Sequence, residues 1–237
     1  MMIKKEIIYR NPLLNLGYDH EDILPVGGFG AVLAHAGVGK TAFLVQLALN
    51  MMLREQSILH VSLNDAVSKI DLWYQEIFHD IAEKFGIADV HDCWDKIQSY
   101  RFIMTFKVIS FNAPKLEERL SDLMEQNIFK PRMVIIDGLR FDEAGRGQLV
   151  QLKELASKYS MCFWFTVHTH RHEPPQDNGL PYAFLHIADL FNAIVQLATT
   201  GDEVYIKALK GGSAAPKDLL LDPATMLIKD ITPQKGR

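Results

Sequence analysis

The chain has 237 residues, 48% hydrophobic and 23% charged, which suits one α/β domain with a sizeable core and excludes global disorder. A net charge of −4 argues against a dedicated nucleic-acid binder while leaving room for a local basic patch. No apolar run reaches membrane-spanning length, the amino terminus lacks the apolar core of a secretory signal, and Cys93 and Cys162 stand far apart beside aromatics, so a cytoplasmic protein with buried thiols and no membrane partner is expected.

Residues 1–24, around Pro12 and Gly17, read as a loosely structured lead-in with a short strand at Glu6-Ile7-Ile8-Tyr9; residues 25–237 read as one domain. The turn-forming Gly27-Gly28-Phe29-Gly30 leads into an apolar run, Ala31-Val32-Leu33, which predicts a strand over about 30–34. Next comes Ala34-His35-Ala36-Gly37-Val38-Gly39-Lys40-Thr41, the pattern G-x-x-x-x-G-K-[ST] with Ala34 in the place of the first glycine. A mostly apolar helix over 40–53 follows, carrying Phe43, Leu44, Leu47 and Leu49. Strand, glycine loop and helix in this order make a phosphate-binding loop. Gly37 and Gly39 let successive N–H groups point at one anion, and the helix start adds its positive dipole end. Ala36, Gly37, Val38, Gly39, Lys40, Thr41 and Ala42 form the candidate phosphate-binding set. Within it Lys40 supplies a charge for the β- and γ-phosphates, and the Thr41 hydroxyl is a ligand for Mg²⁺.

Downstream, Ser57 to Leu63 reads as a second buried strand, ended by Asn64-Asp65. A helix follows from Ala66 to Phe85, with Ile70, Trp73, Ile77 and Ile81 inward and Gly86 as its C-cap. Val90 to Tyr100 reads as a short helix and loop, and 102–104 and 107–110 as strand fragments. Pro114 opens a helix running to about Asn127. Met133-Val134-Ile135-Ile136-Asp137 is a continuous apolar run ending in an acid, as in a parallel strand covered on both faces. Then come a helix over 148–159, a strand over 161–167, a polar loop from His168 to Gly179, a short helix over 183–191 and a strand over 194–197. Finally Glu203 to Ala208 pairs with Lys217 to Leu221 across Gly211-Gly212-Ser213 as an antiparallel section. The alternation predicts an α/β fold: a mostly parallel sheet flanked by helices, with a C-terminal antiparallel extension and ligands at the carboxyl ends of the strands. Asp137, at such an end, holds a water on Mg²⁺ beside Thr41, or else merely caps a loop.

This order of features resembles the RecA-like P-loop NTPases, in DnaB-type, KaiC-like or plasmid replicative ATPase flavour. Gln151 to Tyr159, Ile187-Ala188-Asp189, Lys210-Gly211-Gly212 and Leu221-Asp222-Pro223 add to the likeness, which covers roughly residues 25 to 230. The resemblance implies ATP and Mg²⁺ as cofactors, ATP hydrolysis, a homo-oligomeric ring or filament, and single-stranded DNA as a partner. It also implies four further site residues. A water-orienting Glu is expected at the end of the second strand, where this chain has Asn64 and Asp65. Asp65 is an acid but shorter, and Asn64 orients a water without taking its proton; either also suits a helix N-cap. His168 stands where the family has a polar sensor of the γ-phosphate. The loop after it, with His170, Arg171 and His172, is the counterpart of the polynucleotide-contacting loop. The rival readings of that loop are a metal site from His168, His170, His172 and Glu173, or a plain solvated loop. Lys210, with Lys207 nearby, stands where a basic residue reaches the γ-phosphate of a neighbouring subunit, unless it is a solvent-facing turn lysine. Arg140 is a further cation with no assigned role.

Three functions remain open on the sequence. One is an ATP-hydrolysing motor acting on single-stranded DNA. Another is a regulatory module that binds ATP, hydrolyses it weakly and signals to a protein partner, which the missing Glu favours. A third is a small-molecule kinase, which needs a lid that is not evident.

Overall fold

The computed structural model describes residues 24–141, 145–169, 179–212 and 219–230. The lead-in strand at 6–9, the lead-in up to residue 23, the loop residues His170, Arg171, His172 and Glu173, and Ser213, Lys217 and Asp218 of the expected antiparallel section lie outside them.

Nine strands form one sheet in the order β3-β2-β4-β5-β1-β6-β7-β8-β9. They are β1 (Phe29–Ala34), β2 (Ile58–Ser62), β3 (Arg101–Thr105), β4 (Met133–Asp137), β5 (Cys162–His168), β6 (Ala193–Thr200), β7 (Glu203–Lys210), β8 (Leu219–Leu221) and β9 (Ile228–Asp230). Strands β3 to β6 in that order run parallel, and β7, β8 and β9 are antiparallel additions. The α/β architecture with an antiparallel C-terminal extension is therefore as the sequence pattern requires.

Helices cover both faces because the parallel strands are apolar on both. Along β4, Met133 and Ile135 join one buried cluster, and Val134 and Ile136 the other. The first cluster lies under α1 (Lys40–Leu53), α2 (Val67–Phe85) and α3 (Val90–Ile97). The second lies under α4 (Ala113–Glu125) and α5 (Arg146–Lys158), with the short α6 (Tyr182–Leu185). Every residue of α1 from Ala42 to Leu53 is buried. The helix lies between the sheet and the turn that joins β8 to β9. Gln46 donates to the Met226 carbonyl (2.8 Å) and accepts from the Ile228 N–H (3.0 Å) across that contact. Gly30 is obligatory for packing: a Cβ there would sit 2.5 Å from the Trp164 ring of β5.

Four local expectations need correction. Residues 107–110 are not a strand: the β3 ladder ends opposite Ser62, β2 ends with it, and the chain turns through a 3-10 helix, Val108–Ser110, with Ile109 on the surface. The stretch over 183–191 is two pieces, α6 and a 3-10 turn at Ala188–Leu190. Neither Asn64 nor Asp65 caps α2, whose N-cap is Ala66 without a side-chain bond. Both cysteines are half-buried rather than buried and form no disulfide. Strand β9 was not legible at all.

Candidate functional site

The phosphate loop leaves β1 at the carboxyl edge of the sheet and closes on the first turn of α1. Gly37 (φ +77°) and Gly39 (φ +107°) supply the two left-handed steps of the curl. Gly39 is also crowded, since a Cβ there would lie 2.6 Å from Leu221 Cδ2 of β8. Lys40 folds back over the loop and donates to the carbonyls of Ala34 (2.9 Å) and His35 (2.8 Å). Its partial burial lowers its pKa from 10.5 to about 8, with the Asp137 charge pulling the other way.

Asp137 ends β4 on the face that carries α1. Its Oδ2 accepts from the Thr41 hydroxyl (2.7 Å) and its Oδ1 from the Thr166 hydroxyl of β5 (2.7 Å). Thr166 accepts in turn from the Gly138 N–H (2.9 Å). Burial works to raise the carboxyl pKa, but His60, Thr166 and Thr41 outweigh it and hold the group below its ordinary value, ionised at neutral pH. A hydroxyl and an anionic carboxylate brought together beside an anion-binding loop are hard oxygen donors, and this donor set fits Mg²⁺. Thr41 and Asp137 are the residues that can hold it.

A cleft of about 720 Å³ opens over these groups. Ala36, Gly37, Lys40, Asn64, Asp65, Asp137, Arg140 and His168 all line it, with Leu139, Phe141 and Phe184 as an apolar wall. The structure thus brings the phosphate loop, the β2 end, the β4 end and the β5 end to one cavity. The Asn64 amide lies against the Gly138 backbone, next to Asp137. The Asp65 carboxylate is paired with Lys69 (2.8 Å), and its backbone is pinned by Ser62. His168 is exposed at the end of β5, level with Ala34 of β1. Lys210 is not in the cleft. Its register opposite Ile194, which pairs with Ala31, places it below the phosphate loop, where it donates to the Ala188 carbonyl (2.9 Å).

Sequence reasoning missed three polar groups around the site. Thr166 and His60 were each a polar side chain flanked on both sides by apolar ones inside a strand, which is the signal that could have found them. His35 ties the phosphate loop to the end of β5, donating from Nδ1 to the Thr169 carbonyl (2.8 Å). Among the described residues, no helix is long and apolar enough to cross a membrane.

A family model described as AAA domain matches residues 12–169, more than half of the chain. The matched span holds the phosphate loop, Asn64 and Asp65, Asp137 and His168, and stops before Lys210. No curated protein matches the chain.

Proposed function

The chain belongs to the AAA domain family of P-loop ATPases, and we propose that within it this protein is a RecA-like, Mg²⁺-dependent ATPase of modest turnover that assembles with copies of itself and acts on single-stranded DNA. The observation that carries the catalytic part is the Thr41 hydroxyl on Asp137 at 2.7 Å, beside Lys40 and the curled loop. When bound, Mg²⁺ neutralises charge that develops on the transferring phosphoryl group. Everything else falls to the chain's own groups. The loop N–H groups and the α1 amino end hold the phosphates. Lys40 exchanges its two loop carbonyls for phosphate oxygens. Asp137, ionised and fixed on both oxygens, holds its side of the metal site with Thr41.

The attacking water falls to Asn64 and Asp65. The Asn64 amide orients a water but takes no proton, and Asp65 must leave Lys69 to act as a base. Turnover is slow for that reason. His168 senses the γ-phosphate from the adjacent strand end. Lys210 lies outside its own cleft, which supports a role across a subunit interface. The DNA partner rests on the RecA-like resemblance.

The absence of a Glu at the β2 end favours a second reading, an ATP-binding regulatory module that signals to a protein. ATP turnover with and without single-stranded DNA at low salt separates the two. Turnover that rises with DNA is expected; negligible turnover under both conditions, with nucleotide bound, removes the motor. Lys40→Ala should abolish nucleotide binding, and unchanged affinity would refute the phosphate-loop assignment.

A further inference from the structure

Strand β2 carries one side chain that packing alone does not explain. His60 is 0% exposed, in the middle of a run whose other members are Ile58, Leu59 and Val61. An imidazole in such a place is costly unless its nitrogens find partners. Its Nδ1 lies 3.1 Å from the Tyr74 hydroxyl of α2. Its Nε2 has no hydrogen-bond partner, and it stands 3.8 Å from Asp137 Oδ2. The register explains this approach. Ser62 is the direct partner of Asp137 and His60 the partner of Ile135, so His60 is the diagonal neighbour of the carboxylate on the same face.

The tautomer follows from charge. A neutral imidazole carries one N–H. If the Nε2 lone pair faced the carboxylate the two would repel, so the proton sits on Nε2 and Nδ1 accepts. Tyr74 must then donate its O–H to Nδ1. Burial pushes the Tyr74 phenol far up, which keeps that proton in place. Tyr74 is itself fixed by the Arg101 guanidinium over its ring (4.6 Å), and Arg101 pairs with Asp71. A line of groups therefore runs from the surface of α2 to the metal-holding carboxylate.

We propose that His60 is a positioning residue for Asp137: its Nε2–H, in a tautomer selected by Tyr74, holds Oδ2 toward Thr41 and the phosphate loop. The proposal rests on the reading of Asp137 as a metal carboxylate. Oδ2 takes its short bond from Thr41. A Thr41 hydroxyl that turns a lone pair to a cation keeps its O–H for Asp137, and Nε2–H is a second donor facing the same carboxylate oxygen.

The test uses the full chain and a fluorescent ATP analogue, with binding measured as Mg²⁺ is raised from a chelated baseline. The variants are His60→Gln, His60→Asn, Tyr74→Phe and Asp137→Asn. Gln places its amide nitrogen near the position of Nε2, and Asn near that of Nδ1. His60→Asn should raise the Mg²⁺ concentration for half-maximal effect about tenfold, as outer-sphere partners of a ligand do. His60→Gln should stay within about threefold of wild type, and Tyr74→Phe should fall between them. Metal-free nucleotide affinity should be the same as wild type in the His60 and Tyr74 variants. Equal shifts in His60→Asn and His60→Gln, or a wild-type Mg²⁺ requirement in His60→Asn, would overturn the proposal and leave Asp137 untouched. If Asp137→Asn keeps the wild-type Mg²⁺ dependence, the Asp137 reading falls and this one with it. Should His60→Asn fail to fold, Tyr74→Phe decides, and an unchanged Mg²⁺ requirement there overturns the proposal.

Discussion

Thr166→Val removes one hydroxyl from the interior and almost no volume. Thr166 is 4% exposed, so little solvent reaches the place of the lost group. Two bonds go at once: the donation to Asp137 Oδ1 at 2.7 Å and the acceptance from the Gly138 N–H at 2.9 Å. A hydrogen bond to a charged acceptor contributes about 1.5–3 kcal/mol, and an orphaned buried N–H costs about 1–3 kcal/mol. The two share one atom and do not add fully, so the expected loss is roughly 2–4 kcal/mol. In a chain of this size that is a fall in Tm of roughly 5–15 °C. The pH dependence identifies the mechanism. Burial opposes ionisation of Asp137, and the donors around it hold its folded pKa below the ordinary 3.8. Stabilisation of this sign is complete above the unfolded value and is lost as pH falls through the folded one. The carboxylate share of the Thr166→Val deficit is therefore complete at pH 7 and shrinks below about pH 4, while the Gly138 share stays. Urea unfolding of both proteins at pH 7, and at the lowest pH where wild type stays folded, measures it. A deficit under about 0.5 kcal/mol at pH 7, within the range of an inert surface change, would refute the reasoning. So would a deficit that does not move with pH.

Lys40 makes a second pH prediction. With its pKa near 8 before nucleotide binds, ATP affinity should be level below about pH 7.5 and fall by up to about tenfold per unit above pH 8. Calorimetric titration across pH 7 to 9.5 checks this, and a level affinity over that range contradicts it. Gly30→Ala should destabilise the fold by roughly 1–3 kcal/mol through the Trp164 ring, with part recovered in Gly30→Ala combined with Trp164→Phe, as read by denaturant unfolding. Lys210→Ala should leave nucleotide affinity within about twofold and lower turnover of the assembled protein by about tenfold or more, since it lies outside its own cleft. Equal loss of affinity and turnover would return Lys210 to its own site.

The parts of this molecule that could be read in advance are those whose signal is local. Gly37, Gly39, Lys40 and Thr41 are contiguous, and the run from Met133 to Asp137 announces a covered strand by composition alone. The alternation of apolar segments sufficed for the parallel sheet and its antiparallel end. What escaped depends on which strands become neighbours. Thr166 matters because β5 lies beside β4, and no periodicity within Cys162 to Val167 says so. His60 matters because it is diagonal to Asp137 across the β2–β4 ladder. The His35 contact to Thr169 joins residues 134 apart. Three-residue β9 is too short to carry a period, and 107–110 was apolar enough for a strand but had no ladder left to join.

The bond between Gln46 and the Ile228 N–H spans 182 residues. It bears on the order in which the protein is made. The phosphate loop and α1 are among the first described segments to be synthesised, yet the packing against Gly39 and the polar partners of Gln46 come from Leu221, Met226 and Ile228. A growing chain therefore carries an apolar α1 with one flank uncovered until the segment from Leu221 to Ile228 has been made. It completes the nucleotide site only after the β8–β9 turn has cleared the ribosome. Closing so long a loop late makes this the slow, aggregation-exposed stage of biogenesis.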